Sequence, residues 1–383
     1  MHIVHCGFDT LALSIEANIS QELFALLDAE REKAEEARAP VPFTYGGADF
    51  DLLPYGGNGY RFILKGGPLD VTWFIKKPNA RDGWGIRVSV GSTFLATQGL
   101  GHARAYIDKT LTRLGVRYGP QQISIARADF CVDILARDFE LQPENFVIHS
   151  HTNRADHLAA DDTRSNGKSG RYTSVTVGKM PGRQVIVYDK RREVIDRQKP
   201  LWWDIWDANL ARDDLPALDP TDATSSRVWR VEIRAGKDLL KDRWQIRTWD
   251  HLDSMFGDVV AEAVKKIRYC VPDRQDSNRA RWHNHPLWDL AASVAKEDLL
   301  EMRSHIDPAK VKHVHREEHI RLILAQVTGS AITLAALDGV DDALLLEWMV
   351  DIIGPRLKGE IQANPERAAS KLADAKARYR FVG

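Results

Sequence analysis

The sequence predicts an α+β protein: an antiparallel-sheet domain with flanking helices, followed by an all-helical C-terminal domain. The first observation is that residues 45–90 and 122–235 contain short β-branched and aromatic runs separated by Gly-rich or polar turns, which is typical of antiparallel strands. The second is that the sequence after Gly236 is almost wholly of helical periodicity. Because 383 residues exceed one ordinary core, we predict domains over residues 1–240 and 241–383.

The elements of the first domain follow from their residue patterns. Apolar spacing followed by mixed charge predicts a helix over 20–38, which stops before Pro40. Residues 45–90 are predicted to form a meander of strands joined by Gly turns. An acidic, Trp-rich insertion at 201–226 is predicted to fold over the sheet. Further predicted elements are a helix over 102–115 and strands over 122–135, 171–178, 183–190 and 227–235, the second and third strands being joined as a hairpin.

In the C-terminal domain, the segment HREEHIRLILAQVTGSAITLAAL (315–337) resembles two helices interrupted near Thr328 to Ser330. That pattern is compatible with a helix-turn-helix that reads DNA. Any helical hairpin would give the same pattern, so both interpretations stay open.

Charge is distributed unevenly along the chain. The formal net charge is only −1, which gives no support for nucleic-acid binding by itself. Residues 164–199, however, contain ten Lys or Arg against three Asp or Glu, a balance of +7. The insertion at 201–226 contains one Arg against six Asp, a balance of −5. A strongly basic stretch beside an acidic one indicates a locally specialised surface, and we expect the basic stretch to contact DNA.

The remaining composition predicts a cytoplasmic protein that does not enter a membrane. Cys6, Cys131 and Cys270 lie far apart without a CxxC pair, which argues against a disulfide framework or a cysteine zinc site. We expect no secretory leader, since the N-terminus lacks a basic segment followed by an apolar one. We also find no run near the roughly 18 apolar residues of a membrane span.

Three predicted strands carry reactive side chains on one face. Because side chains alternate along a strand, each strand presents one set of polar residues together. Paired carboxylates from separate strands can bind Mg²⁺ or Mn²⁺, and a nearby Tyr could then attack a phosphodiester. Cross-strand ion pairing is the alternative, with Asp129 or Asp133 paired to Arg230 or Arg234. The sets are Arg127, Asp129, Cys131 and Asp133; Arg230, Glu232 and Arg234; and Ile186, Tyr188 and Lys190.

The order of these motifs resembles a known family. ARADFCVDI, a hairpin leading to VIVYDKRREV, and RVWRVEIRAGKDLL are similar to the core of the Rep_trans replication initiation factors, the rolling-circle initiators and relaxase-like proteins of plasmids, phages and conjugative elements. The resemblance covers about residues 5–240 and is most specific in R-x-D-x-x-x-D, Y-D-K and R-x-E. It implies a metal-dependent, site-specific nick, covalent attachment of a tyrosine to the 5′ phosphate, and later strand joining.

The resemblance also implies roles for individual residues. Tyr188 would be the nucleophile, with Tyr172 as the competing candidate. Asp129 and Glu232 would be metal ligands, and Asp133 is a further candidate ligand on the same strand face as Asp129. Lys190 and Arg230 would act on the phosphate in catalysis. The expected DNA contacts are Arg127, Arg171, Arg183, Arg192 and Tyr172, and the expected cofactor is Mg²⁺ or Mn²⁺.

Three functions therefore remain open at the level of sequence. The first is an origin-specific enzyme that nicks and rejoins one DNA strand, presented single-stranded or as an extruded hairpin, with a host helicase as a candidate partner. The second is a DNA-binding initiator or regulator of a mobile element without a catalytic step. The third is a metal-dependent nucleic-acid hydrolase. Only the first leaves a protein joined covalently to DNA.

Overall fold

The computed structural model describes residues 1–67, 71–148, 163–168, 170–296, 299 and 308–378. It divides into two compact units, Met1–Asp307 and Pro308–Gly383. The first unit contains a large antiparallel sheet with helices, and the second is helical, so the predicted α+β class is confirmed.

One antiparallel sheet of eleven strands organises the first unit. The strand order across the sheet is β2-β3-β4-β5-β6-β1-β7-β12-β11-β10-β9. The predicted meander forms one half, in which β2 to β6 pair consecutively. The strands are β1 (His2–Ile15), β2 (Val41–Tyr45), β3 (Ala48–Leu52), β4 (Phe62–Lys65), β5 (Val71–Ile75), β6 (Ile86–Val90), β7 (Ile123–Leu135), β9 (Thr163–Lys168), β10 (Arg171–Gly178), β11 (Arg183–Asp189) and β12 (Val228–Gly236). A separate pair joins β8 (Phe146–Ile148) to β13 (Ile267–Tyr269).

The first unit also contains helices, most of which pack against the sheet. They are α1 (Gln21–Ala37), α2 (Ser92–Arg113), α3 (Lys190–Asp196), α4 (Leu201–Leu210), α5 (Trp249–Lys266) and α6 (Pro286–Ser293), the last of which packs against α5. Ser20 caps α1 by accepting a hydrogen bond from the Leu23 amide, so this helix begins where the sequence predicts. Asp189 caps α3 in the same way through the Arg192 amide, which places the start of α3 directly after β11.

The first compact unit continues past residue 240, where the sequence places a domain boundary. The reason is α5, whose buried side chains Leu252, Phe256 and Val260 belong to the same apolar core as the sheet. The ring of Phe256 lies 5.1 Å from that of Phe8 on β1. Helical periodicity identified α5 as a helix, but it does not say that a helix packs on a preceding sheet.

The second unit contains α7 (Pro308–Leu337), α8 (Leu345–Trp348), α9 (Gly354–Ala363) and α10 (Pro365–Arg378). The predicted break near Thr328 to Ser330 is wrong, because α7 runs through it as one helix and the Thr333 hydroxyl donates to the Gly329 carbonyl at 2.9 Å. A glycine costs a helix only about 1 kcal/mol relative to alanine and does not by itself end it. The turn comes later, at Gly339, whose φ of +67° suits glycine.

One part of α7 also corrects the expectation about long apolar segments. The 19 residues His319–Leu337 are long and apolar enough to cross a membrane by length and composition, and 11% of them are buried. A search for an unbroken apolar run misses this segment, because Thr328, Gly329 and Ser330 interrupt the run, although they add no charge to it.

Candidate active site

The strand register brings the three predicted polar faces together. Residues that pair directly in an antiparallel sheet share a face, so Tyr188 of β11, Arg230 of β12, Asp133 of β7 and His5 of β1 form one row. Four residues along these strands, Arg234 and Asp129 form a second row. We call this surface the polar face. Its residues come from four adjacent strands, and the register that aligns them follows from long-range pairing.

The first row is a buried ion-pair network. Arg230 and Asp133 are fully buried, and the Arg230 guanidinium binds both Asp133 oxygens, with Nε to Oδ1 at 2.5 Å and Nη2 to Oδ2 at 2.8 Å. Arg230 also donates to Asp9. Burial opposes ionisation of Asp133, but Arg230 holds the pKa of this carboxyl below its usual value. Asp133 and Arg230 therefore satisfy each other, as in the ion-pair alternative.

The acidic insertion covers this end of the polar face, as predicted. Its helix α4 places the Trp206 indole Nε1 2.9 Å from Asp133 Oδ2, to which it donates. The Trp202 ring lies 4.4 Å from both the Arg230 guanidinium carbon and the Lys190 Nζ. Asn209 ties the helix to β1 by donating to the Val4 carbonyl at 2.7 Å. Although the segment is acidic along its length, the side chains that contact the polar face are mainly the aromatic rings of Trp202 and Trp206.

Lys190 lies under this helix and not at an open phosphate site. It is 2% exposed, and its Nζ lies 2.5 Å from Glu193 Oε2. Burial, followed by the charge of Arg230, lowers the pKa of Lys190. The predicted phosphate contact by Lys190 is therefore not visible in this arrangement, in which the cation is enclosed by aromatic rings and a carboxylate.

Glu232 of β12 lies between the two rows, where it meets Tyr188 near the partly open end of the polar face. The Tyr188 hydroxyl donates to Glu232 Oε2 at 3.0 Å, and Arg234 Nε donates to Glu232 Oε1 at 2.6 Å. Burial raises the pKa of Tyr188 well above its usual value, with Arg230 acting against this shift. The hydroxyl is therefore protonated at rest and already directed at a proton acceptor.

Asp129 completes this end of the face. Its carboxylate accepts hydrogen bonds from Arg127 Nε at 2.8 and 3.0 Å, and Arg234 Nε lies 3.9 Å away. Burial raises the pKa of Asp129 to about 7, and the hydrogen bonds from Arg127 act in the opposite direction. The side chains of Arg127 and Arg234 are 34% and 30% exposed, so these two cations face incoming anions while holding the buried carboxylates.

The predicted metal ligands do not fit a divalent cation in this arrangement. Asp129 and Glu232 are each held by an arginine, and Asp133 is occupied by Arg230 and Trp206. Within the described ranges, no group of three or more His, Cys, Asp or Glu side chains is placed to hold a metal ion. Mg²⁺ or Mn²⁺ therefore stays a prediction of the sequence resemblance.

The predicted DNA contacts separate into different places. Arg127 lies at the open end of the polar face. Arg171, Tyr172 and Arg192 line a groove together with Asp189 and Trp229, which alternate with Tyr188 and Arg230 and so belong to the opposite face. The two candidate nucleophiles thus lie on opposite sides of the sheet.

Arg183 lies elsewhere, at the start of β11. Its Nη1 is 3.5 Å from the carboxylate of Glu262 on α5, which also accepts a hydrogen bond from Arg243 at 2.6 Å. Sequence reasoning grouped Arg183 with Arg171 and Arg192 by charge and could not see α5 beside it. Sequence reasoning also missed His5, Asp9 and Trp206, because no spacing links β1 or the insertion to the motifs on β7 and β12.

Comparison with known proteins gives few matches. No protein-family profile and no curated protein sequence matches the chain. Among solved structures, a rolling circle replication initiator protein from Geobacillus stearothermophilus is similar over 78% of this chain and 98% of that chain, with 16% identity and a TM-score of 0.35.

Proposed function

We propose that this protein is a replication initiator that nicks and rejoins one DNA strand through Tyr188. The observation that carries the proposal is the hydrogen bond from the Tyr188 hydroxyl to Glu232, with Arg234 on the second Glu232 oxygen. A tyrosine needs a nearby base and a means of neutralising phosphate charge to act as a nucleophile. On the polar face, Glu232 is the nearby base for Tyr188, and Arg234 supplies the positive charge.

The reaction assigns one task to each group. As the Tyr188 oxygen attacks the phosphorus, its proton passes to Glu232, a new phosphotyrosine bond forms and the bond to the 3′ oxygen breaks. The released 3′ oxygen takes a proton from solvent, and the protein remains on the 5′ phosphate. Arg234 and Arg127, both partly exposed beside Glu232 and Asp129, would balance charge on the phosphate. Joining is the reverse reaction, with a 3′ hydroxyl as the attacking group.

The buried ion-pair network of the first row supports this chemistry by holding a positive charge in a fixed position beside Tyr188. Arg230 stands opposite Tyr188 and is held by Asp133, Asp9 and the Trp202 ring, so its charge is fixed beside the tyrosine. We propose a positioning and electrostatic role for Arg230, which lowers the cost of forming the tyrosine anion.

The test is covalent trapping on single-stranded DNA from a candidate origin. Tyr188→Phe should abolish the SDS-resistant adduct and leave strand binding intact, because it removes one hydroxyl and keeps the ring. Tyr172→Phe is the matched control, since its tyrosine lies on the opposite face. An adduct that persists in Tyr188→Phe and disappears in Tyr172→Phe would move the nucleophile. Binding without any adduct in the wild-type protein would favour the non-catalytic initiator.

A further inference from the structure

A cationic groove with an exposed tyrosine lies across the sheet from the polar face. Its volume is about 500 Å³, and five of its lining side chains are basic. Glu140 and Asp189 are its two acidic members, which leaves a balance of +3 in a chain whose net charge is −1. We call it the Tyr172 groove. The basic residues are Lys168, Arg171, Arg191, Arg192 and Arg227.

Several of these cations are held by neutral groups, so their charge remains available to a ligand. Arg191 donates to the Ser226 hydroxyl at 2.9 Å and to the Pro220 carbonyl at 2.7 Å, and Arg227 donates to the Arg137 carbonyl at 3.2 Å. The side chain of Arg171 is 67% exposed and reaches Glu140 only at 4.0 Å. These contacts fix the direction of the Arg191 and Arg227 guanidinium groups without pairing them to a carboxylate. Arg192 differs, because its Nε donates to both Asp196 oxygens, at 2.9 and 3.1 Å, in a pair whose side chains are 41% and 54% exposed. Exposed pairs of this kind contribute only about 0 to 1 kcal/mol, so a phosphate can replace Asp196 as the partner of Arg192.

The aromatic members of the groove give it a second kind of selectivity. Tyr172 is 42% exposed, although large aromatic side chains are usually covered, whereas Trp229 in the same lining is only 4% exposed and packs against Phe139. An exposed aromatic ring among arginines suits an unpaired base, which offers a π face next to a phosphate. The bases of a duplex are stacked on each other and cannot lie on such a ring.

We propose that the Tyr172 groove binds an unpaired DNA strand, with a base stacked on Tyr172 and the adjoining phosphates on Arg171 and Arg192. This rests on the proposed function for its choice of DNA as the ligand. It adds a second strand-binding site on the face of β11 opposite the nucleophile. A strand attached to Tyr188 and a strand held in the groove are therefore separated by the sheet itself.

The experiment measures binding of a fluorescent oligothymidylate to the full chain by anisotropy at several salt concentrations. Tyr172→Ala should weaken binding about 5- to 100-fold, the loss expected for one base–aromatic stack, whereas Tyr172→Phe should retain it. Arg171→Gln with Arg192→Gln should lower the slope of log K against log salt by about 1.4, for two single-strand phosphate contacts. Arg183→Gln is the matched control, because Arg183 contacts Glu262 and lies outside the groove.

Two further probes identify the ligand, and each outcome decides the proposal. An abasic oligonucleotide of equal length should bind the wild-type protein as weakly as the oligothymidylate binds Tyr172→Ala, and a duplex should be insensitive to that substitution. Equal binding of abasic and normal strands, or an unchanged affinity in Tyr172→Ala, would overturn the proposal. If the Tyr188 adduct forms but the groove variants bind normally, the nicking function stands and the groove proposal fails. If the groove variants lose binding but no adduct forms, the groove proposal stands and the nicking function fails.

Discussion

At the scale of single residues, the sequence predicted which groups share a face and allowed cross-strand ion pairs among them, but not which carboxylate binds which arginine. Alternation along β7 and β12 placed Asp129, Asp133 and Arg230 on one surface, and the structure brings these side chains together. It pairs Asp133 with Arg230 and Asp129 with Arg127. The register that decides partners depends on contacts far apart in the chain, and no local pattern encodes it.

Glu232 provides a test of the proton acceptor at this scale. Glu232→Gln should lower the rate of adduct formation by about 10²- to 10⁴-fold, the usual contribution of a general base. Excess Mn²⁺ should not restore the rate, because the lost group accepts a proton. Single-turnover trapping with and without Mn²⁺ measures this. Recovery of the Glu232→Gln rate by Mn²⁺ would show instead that Glu232 serves a metal.

His5 provides a test of the buried row through stability. Burial lowers the pKa of His5 to about 4, with Asp133 and Asp9 acting against the shift and Arg230 and Lys190 with it. Between pH 6.5 and 4 the native state then binds fewer protons than the unfolded state, so stability falls as the pH is lowered. The wild type should lose about 2 kcal/mol relative to His5→Phe between pH 7 and pH 5. Asp129, whose pKa is raised, contributes in the opposite direction, but it does so in both proteins and therefore cancels in the comparison. Urea unfolding at each pH measures the free energy of unfolding, and an equal change with pH in both proteins would contradict the assignment.

At the scale of elements, strands were predicted better than the contacts of helices. The strands at 171–178 and 183–189 and the hairpin between them were visible in their alternation. Strand β13 was not, since Ile267–Tyr269 continues the apolar spacing of α5 and becomes a strand only by pairing with β8. The helix α4 was visible as an insertion over the sheet, but its hydrogen bond to a buried carboxylate was not.

The hydrogen bond between Trp206 of α4 and Asp133 predicts a measurable contribution to stability. Trp206→Phe removes the indole donor to a buried charge and should lower the free energy of unfolding by about 1.5 to 3 kcal/mol. Trp203→Phe on the same helix is the control, because Trp203 is less buried and packs against the Trp206 ring at 5.1 Å. Chemical unfolding monitored by circular dichroism compares the two, and a larger loss in the control would contradict the role given to Trp206.

At the scale of the whole molecule, all of the residues placed in the polar face and in the Tyr172 groove belong to the first compact unit. We therefore expect a fragment of residues 1–307 to form the Tyr188 adduct at the rate of the full chain. Trapping assays on both proteins at equal concentration make the comparison. A folded fragment that binds DNA but forms no adduct would show that the helical unit contributes to the reaction.

The alternation of β11 has an evolutionary consequence. Val185 and Val187 point into the core and Tyr188 points away from it, so the fold constrains the first two positions and the proposed reaction constrains the third. Under the proposed function, a lineage that keeps the fold without cutting DNA would be free to drift at position 188 while retaining β-branched residues at 185 and 187. We therefore expect the residue at position 188 to distinguish relatives that nick DNA from relatives that only bind it.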